Sequence, residues 1–324
     1  MLLAAGALAL LLVWLAWEFR PLRFVESPPP LPAGYRAEKA AWLGVTWAMD
    51  PHTNAEIEAL ARDLQAHGVT YIFPYVSYLK PGNAFNPTFN HAASFVARFR
   101  AAAPEVAILG WVGVPIQVSG VENRLLDPEV RRLIAEFGAR LVTEFGYDGV
   151  HLNAEMIPDG DGAYIATLQA LHEALPPGTT LSVAAHTLRP TERITLAPYP
   201  TGHWSDAYLR TVAEHSDQVV IMAYDSGLFL PSDYRAWMAY QVRASAAALA
   251  EVDASLLIGL PASEEWTPSH QTAVEYLENA LYGVRVGLAQ SDTPDVIDGF
   301  AVYPYWEMDG EEWRALDALC QDDR

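Results

Sequence analysis

The chain has 324 residues, 51% hydrophobic and 19% charged, enough for one large domain or two modest ones with a full core. Lys and Arg number 20 against 40 Asp and Glu, and the formal charge of -20 excludes DNA or RNA as a partner, because a polyanion is repelled. A single cysteine, Cys320, excludes an intramolecular disulfide and a thiolate cluster. The 9 histidines show no HxxxH or HExxH spacing, so neither a metal nor another cofactor is expected.

In chain order, the first element is Met1 to Phe19, almost wholly apolar (MLLAAGALALLLVWLAWEF) and broken only by Glu18. Its length approaches the ~20 residues that span a bilayer. No basic residue precedes it and no small-x-small cleavage site follows, so the expectation is an uncleaved transmembrane anchor over residues 1–19. Residues 20–39 contain PLRFVESPPPLP, the composition of an extended, semi-rigid linker.

From Ala40 the chain alternates short apolar β-type runs with longer amphipathic helical patterns. Strands are expected at Trp42–Met49, Thr70–Val76, Val106–Val114, Gly149–Glu155, Thr180–Thr187, Gln218–Asp225, Leu256–Pro261 and Gly299–Trp306. Helices are expected at Asn54–Ala66, His91–Ala103, Pro128–Phe145, Ala163–Ala174, Ser205–His215, Asp233–Glu251, Gln271–Val286 and Glu311–Cys320. In the third of these Val130, Leu133, Ile134, Phe137 and Leu141 recur at helical steps, behind an Asp127-Pro128 start signal. Eight strand–helix pairs over residues 40–324 predict an α/β chain folded as a (β/α)8 TIM barrel. The rival, a doubly wound sheet, lacks its glycine-rich turn: Gly110, Gly113 and Gly120 are not at GxGxxG spacing.

The fourth strand carries the strongest chemical signal. In Asp148-Gly149-Val150-His151-Leu152-Asn153-Ala154-Glu155 the polar side chains recur at every second residue and share one face. Burying an imidazole, an amide and a carboxylate is costly without partners, so the row is either a site or a completed internal hydrogen-bond network.

A barrel's active site lies at the C-terminal ends of its strands. There the sequence places Trp47, Tyr75, Tyr78, Trp111, Gln117, Asn153, Glu155, His186, Tyr224, Asp225, Glu264, Glu265, Trp266 and Trp306. Aromatic rings stack on sugar faces while carboxylates and amides bond hydroxyls, so this mouth suits a carbohydrate. The bland alternative is that Trp47 and Trp306 cap the core.

Three motifs carry a resemblance. Asp148–Glu155 resembles the DGxDxDxE strand-four motif of glycoside hydrolase family 18, the chitinase-like barrels. Met222-Ala-Tyr-Asp225 is similar to that family's MxYD on strand six, and Trp306-Glu-Met-Asp309 to its strand-eight tryptophan and acidic turn. The resemblance implies that Glu155 is the general acid, that Tyr224 and Asp225 hold the substrate's acetamido group, and that Trp306 floors a sugar subsite. It also implies that the substrate's own N-acetyl oxygen is the nucleophile. His151 and Asn153 stand where the family has its two inner aspartates. An Asn-x-Glu pair also resembles family 85 endo-β-N-acetylglucosaminidases, which implies that Asn153 positions the acetamido. His151 either supplies Glu155 with a charge partner or fills space.

The expected catalytic residues are therefore Glu155, Asn153 and Tyr224, with Asp225, Trp306, Trp47, Tyr75, Trp111, His151 and His186 contacting an oligo- or polysaccharide. Two alternatives accompany this expectation: a two-glutamate retaining glycosidase using Glu155 with Glu264 or Glu265, and a barrel that binds a glycan without cleaving it. Arg20 and Arg23 favour a cytoplasmic position for the chain that follows, whereas a glycan-acting domain belongs outside. The expectation adopted is a membrane-anchored, extracytoplasmic barrel.

Overall fold

The computed structural model describes residues 2–20, 22, 27–194 and 202–320. Eight parallel strands close into a barrel in the order of the sequence. They are β1 (Glu38–Leu43), β2 (Tyr71–Tyr78), β3 (Ala107–Pro115), β4 (Gly149–Glu155), β5 (Thr180–Ala185), β6 (Gln218–Ile221), β7 (Ser255–Pro261) and β8 (Gly299–Tyr303). The chain is thus a (β/α)8 barrel.

The helices are α1 (Leu2–Glu18), α2 (Thr46–Met49), α3 (Asn54–Ala66), α4 (Ala92–Ala102), α5 (Pro128–Thr143), α6 (Gly162–Ala174), α7 (Asp206–Ala213), α8 (Pro231–Leu249), α9 (Leu277–Gln290) and α10 (Gly310–Cys320). The start signals act as their chemistry requires. Thr53 and Glu56 form a reciprocal capping box on α3, and Asp127 accepts the Glu129 N–H ahead of Pro128 on α5.

Two layers of apolar side chains result. Val150, Leu152 and Ala154 of β4 pack outward beneath the helices, against residues such as Leu141 and Leu168. The barrel interior holds Trp42, Phe73, Leu109, Val220 and Leu257, with Trp111, Tyr224 and Tyr303 above them. The row His151, Asn153, Glu155 therefore faces inward.

Three aspartates tie the bottom of the barrel. Asp148, Asp217 and Asp298 each precede an even-numbered strand, and each Oδ2 accepts the N–H of Ile108, Leu181 and Leu256 respectively, at 2.7–2.8 Å. The Asp148 carboxylate also pairs with Arg100 at 2.8 Å. The first residue of the strand-four motif is structural. Gly149 follows it because a Cβ there would lie 2.1 Å from the Thr180 carbonyl oxygen.

Several expectations change. Thr46–Met49 forms helix α2 instead of extending the first strand, which starts earlier, at Glu38. Glu38 and Lys39, assigned from composition to the linker, belong to the barrel, where buried Lys39 pairs with Asp317 of α10. Of the expected linker, Pro21 and residues 23–26 lie outside the described residues, as do residues 321–324 of the expected barrel domain.

The transmembrane anchor is not supported. Among the described residues no helix is long and apolar enough to cross a membrane. Helix α1 has 17 residues, about 26 Å at 1.5 Å per residue, short of a hydrocarbon core of roughly 30 Å. Its last residue is turned to protein: buried Glu18 accepts the Ser232 N–H at the start of α8, at 2.7 Å.

Candidate active site

Strand register sets the floor of the site. His151 lies opposite Trp111 on one side and Ser182 on the other, and Ser182 lies opposite Gln218. His151 is fully buried and stacks on Phe73 at 4.1 Å. The Trp42 indole N–H donates to its Nε2 at 3.0 Å. An indole only donates, so Nε2 is the acceptor and Nδ1 carries the proton. Nδ1–H then donates to Ser182 Oγ at 2.8 Å, and the Ser182 hydroxyl donates to Gln218 Oε1 at 2.7 Å. Burial pushes His151 down to about 3, so the ring is neutral. It fills space with a complete network and does not reach the mouth, contrary to the expected substrate contact.

Two residues along the same strand, the network ends. Asn153 Nδ2–H donates to Glu155 Oε1 at 2.9 Å, and Asn153 Oδ1 is buried without a partner among the described residues. Glu155 keeps surface open to the cleft, but protein surrounds its carboxyl. That desolvation raises its pKa; the Asn153 hydrogen bond opposes the shift, and the Asp225 charge adds to it. The cleft above holds about 570 Å³ and is lined by Tyr75, Tyr78, Gln117, Asn153, Glu155 and Met156.

Aromatic rings wall the mouth. Tyr75 meets Trp111 edge to face at 4.7 Å, and the Trp111 indole N–H is buried without a partner among the described residues. Burial, with Tyr78, Glu155 and Tyr303 nearby, pushes Tyr75 up to about 12. Tyr224 stacks on Tyr303 at 5.3 Å, and burial first of all raises it far above the ordinary phenol value. Both phenols are held as donors. Gly259 of β7 makes room for Tyr224, since a Cβ there would lie 2.9 Å from its ring and 2.8 Å from the Ile221 carbonyl oxygen. Trp306 is 52% exposed, edges onto Tyr303 at 6.1 Å and covers Gly44. Asp225 follows Tyr224 with φ 57°, a left-handed conformation that turns its carboxylate away from the line of the strand.

Two expected contacts are placed elsewhere. Trp47 stacks on His52 at 4.2 Å and tilts against Phe95 of α4, so its contacts are with the outer layer. His186 Nε2 accepts the Ile157 N–H at 3.1 Å, while the Trp204 indole donates to the Ile157 carbonyl at 2.9 Å. Together they pin the turn that leaves Glu155. Burial, then His203, lowers His186 to about 4, which keeps it an acceptor.

Sequence reasoning missed His270 and Glu275, which meet Asp225 at the mouth. Among the described residues these three side chains each bring a nitrogen or carboxylate oxygen within 4.8 Å of the others. No spacing in the sequence marks them. Glu275 falls inside the expected helix Gln271–Val286, whereas α9 begins only at Leu277.

The fold and the mouth define a (β/α)8 barrel with a carboxyl group and an aromatic-walled cleft at the C-terminal ends of its strands. No protein-family model matches the chain, and no curated protein is similar to it in sequence. Among solved structures it is similar to the spore cortex-lytic enzyme SleL of Bacillus cereus, at 13% identity over 90% of this chain and 76% of that one, with a TM-score of 0.59. A class V chitinase of Pseudomonas fluorescens gives 16% identity, 88% and 100% coverage and a TM-score of 0.58. A chitinase of Bacteroides thetaiotaomicron gives 14%, 89% and 97%, and 0.56. The chain has the chitinase-like (β/α)8 fold.

Proposed function

We propose that the protein is a retaining glycoside hydrolase that cleaves a glycan containing N-acetylhexosamine, with the substrate's acetamido group as nucleophile. The observation that carries this reading is the buried, unpartnered Asn153 Oδ1 beside a Glu155 carboxyl of raised pKa. An unpaired buried acceptor costs about 1–3 kcal/mol, which a substrate amide N–H recovers on binding. The fold shared with chitinases and a cortex-lytic enzyme supports the same substrate class.

In this reading Glu155 gives its proton to the glycosidic oxygen as the bond to the anomeric carbon breaks. The acetamido oxygen attacks that carbon from the opposite face, and a cyclic intermediate forms without a protein nucleophile. Asn153 Oδ1 accepts the acetamido N–H, and the Tyr224 hydroxyl donates to the acetamido oxygen. Glu155, now ionised, takes a proton from the water that opens the ring. Asp225 and Trp306 hold the sugar, Trp306 by stacking.

The two-glutamate alternative has weaker support. Glu264 and Glu265 are exposed, as Glu155 is, but the charge that acts on Glu155 is that of Asp225. The test is turnover of chito- and gluco-oligosaccharides by the full chain, beside Glu155→Gln. Hydrolysis of the chito-series by wild type alone is the expected result. Equal background rates in both proteins would sink the hydrolase reading, and binding that persists in both would favour a glycan-binding barrel.

A further inference from the structure

The segment after β7 turns back beneath Asp225 and brings His270 between two carboxylates. His270 is 2% exposed, with Nδ1 at 3.0 Å from Asp225 Oδ1 and 3.7 Å from Glu275 Oε2. Its Nε2 lies 2.9 Å from the Ser263 carbonyl oxygen, which only accepts, so Nε2 carries a proton. Nδ1 makes no hydrogen bond among the described residues, and in a neutral ring its lone pair would lie close to two carboxylates. Glu275 is fully buried and surrounded by donors: the Ser226 N–H at 3.0 Å, the Ser226 hydroxyl at 3.1 Å and the Gly227 N–H at 3.1 Å. That is the environment of an anion.

We infer that His270 is a buried imidazolium clamped by Glu275, and that the pair is a positioning device which fixes the Asp225 carboxylate at the barrel mouth. A second ring proton turns two repulsions into two attractions and leaves one net negative charge on three ionised groups. Burial alone would lower His270, but Asp225, the Ser263 carbonyl and Glu275 outweigh it and raise the ring above its ordinary value. Burial also pushes Glu275 up, so the two groups compete for one proton; the three donors on Glu275 place it on the ring.

The device explains two local features. Asp225 adopts φ 57° although it is not glycine, and the ion pair holds it there. Residues 271–276 stay out of α9 because Glu275 is drawn back to Ser226 and Gly227.

Its role in turnover rests on the glycosidase reading: Asp225 can orient a sugar only if its carboxylate is held still. Asp225 and Glu275 face the ring directly. Tyr234 of α8 feels both carboxylates, and Glu155, Tyr224 and Tyr303 feel Asp225 from the barrel side.

The test uses the full chain labelled with 15N-histidine, His270 being assigned by its absence in His270→Gln. At pH 7 both ring nitrogens of His270 should carry protons, and in Glu275→Gln the ring should lose one at lower pH. A singly protonated ring at pH 7 would overturn the inference. So would stoichiometric binding of Zn2+ that Glu275→Gln abolishes, because the cluster would then be a cation site.

In kinetics, both variants should lower kcat/KM for a chito-oligosaccharide about tenfold. His270→Gln should also move the basic limb of the pH profile upward, because Asp225 and Glu275 lose their counter-charge near Glu155. Unchanged kinetics in both variants would refute the positioning role. If wild type shows no turnover, the glycosidase reading fails while the NMR result still decides the state of His270.

Discussion

His151 and Glu155 stand on the same face of the same strand, yet the protein treats them in opposite ways. His151 ends every polar atom on a partner: Trp42 and Ser182 take its two nitrogens, and Gln218 closes the chain. Above it, Asn153 donates to one Glu155 oxygen and, among the described residues, its own oxygen has no partner. A completed buried network is architecture, whereas an incomplete one at a cleft is a place for a ligand. The contrast separates two residues that alternate identically in the sequence.

Mutations in the two halves should differ in kind. The largest effect is expected at the top of the strand: Glu155→Gln should lower kcat by about 10²–10⁴-fold, the span of general acid–base catalysis, with no change in Tm. Asn153→Ala should cost less, roughly tenfold to a hundredfold in kcat/KM. It should also shift the basic limb of the pH profile upward. The acid must be protonated to act, and the Asn153 hydrogen bond is what holds Glu155 down against desolvation. An unmoved limb would mean that Asn153 does not touch the acid in solution.

At the bottom, His151→Leu should leave KM unchanged and lower stability by about 1–3 kcal/mol for the stranded Trp42 indole N–H alone. Chemical denaturation measures the loss. A variant that keeps its stability but loses activity would invert the assignment.

The same buried rings make stability depend on pH. His151 and His186 are lowered from 6.5 to about 3 and about 4. Below pH 6.5 the unfolded chain takes up protons that the folded chain refuses, so stability should fall as pH drops from 6.5 toward 4. The slope should be about 1.4 kcal/mol per pH unit for each group. Thermal melts across that range, repeated on His151→Leu, should show a shallower slope in the variant. The smallest change is expected at the rim, where Glu264→Gln and Glu265→Gln should each leave rates within about twofold of wild type. A loss of several hundredfold in either would restore the two-glutamate mechanism.

The sequence shows the barrel because periodicity is local. Helix α3 and strand β4 fall on their expected residues, Asn54–Ala66 and Gly149–Glu155. Ends and partners are not local. Glu38 and Lys39 are polar residues in a strand because Asp317, far along the chain, meets Lys39 at the barrel floor. Trp47 leaves the mouth because the chain coils at Thr46 and sends the ring to His52 and Phe95. The partners that turn His151 into core sit on other strands, and Asn153 Oδ1 has none among the described residues. Alternation alone places both residues in the interior without distinguishing them.

The central claim is that the substrate's acetamido group completes the site at Asn153. It is tested most directly by comparing hydrolysis of chito-oligosaccharides and cello-oligosaccharides of equal length by the full chain, with products followed by mass spectrometry. Cleavage of the acetamido-bearing series only, abolished by Glu155→Gln, is the predicted result. Comparable cleavage of the cello-series would contradict it, because that substrate has no acetamido oxygen to attack and no N–H for Asn153.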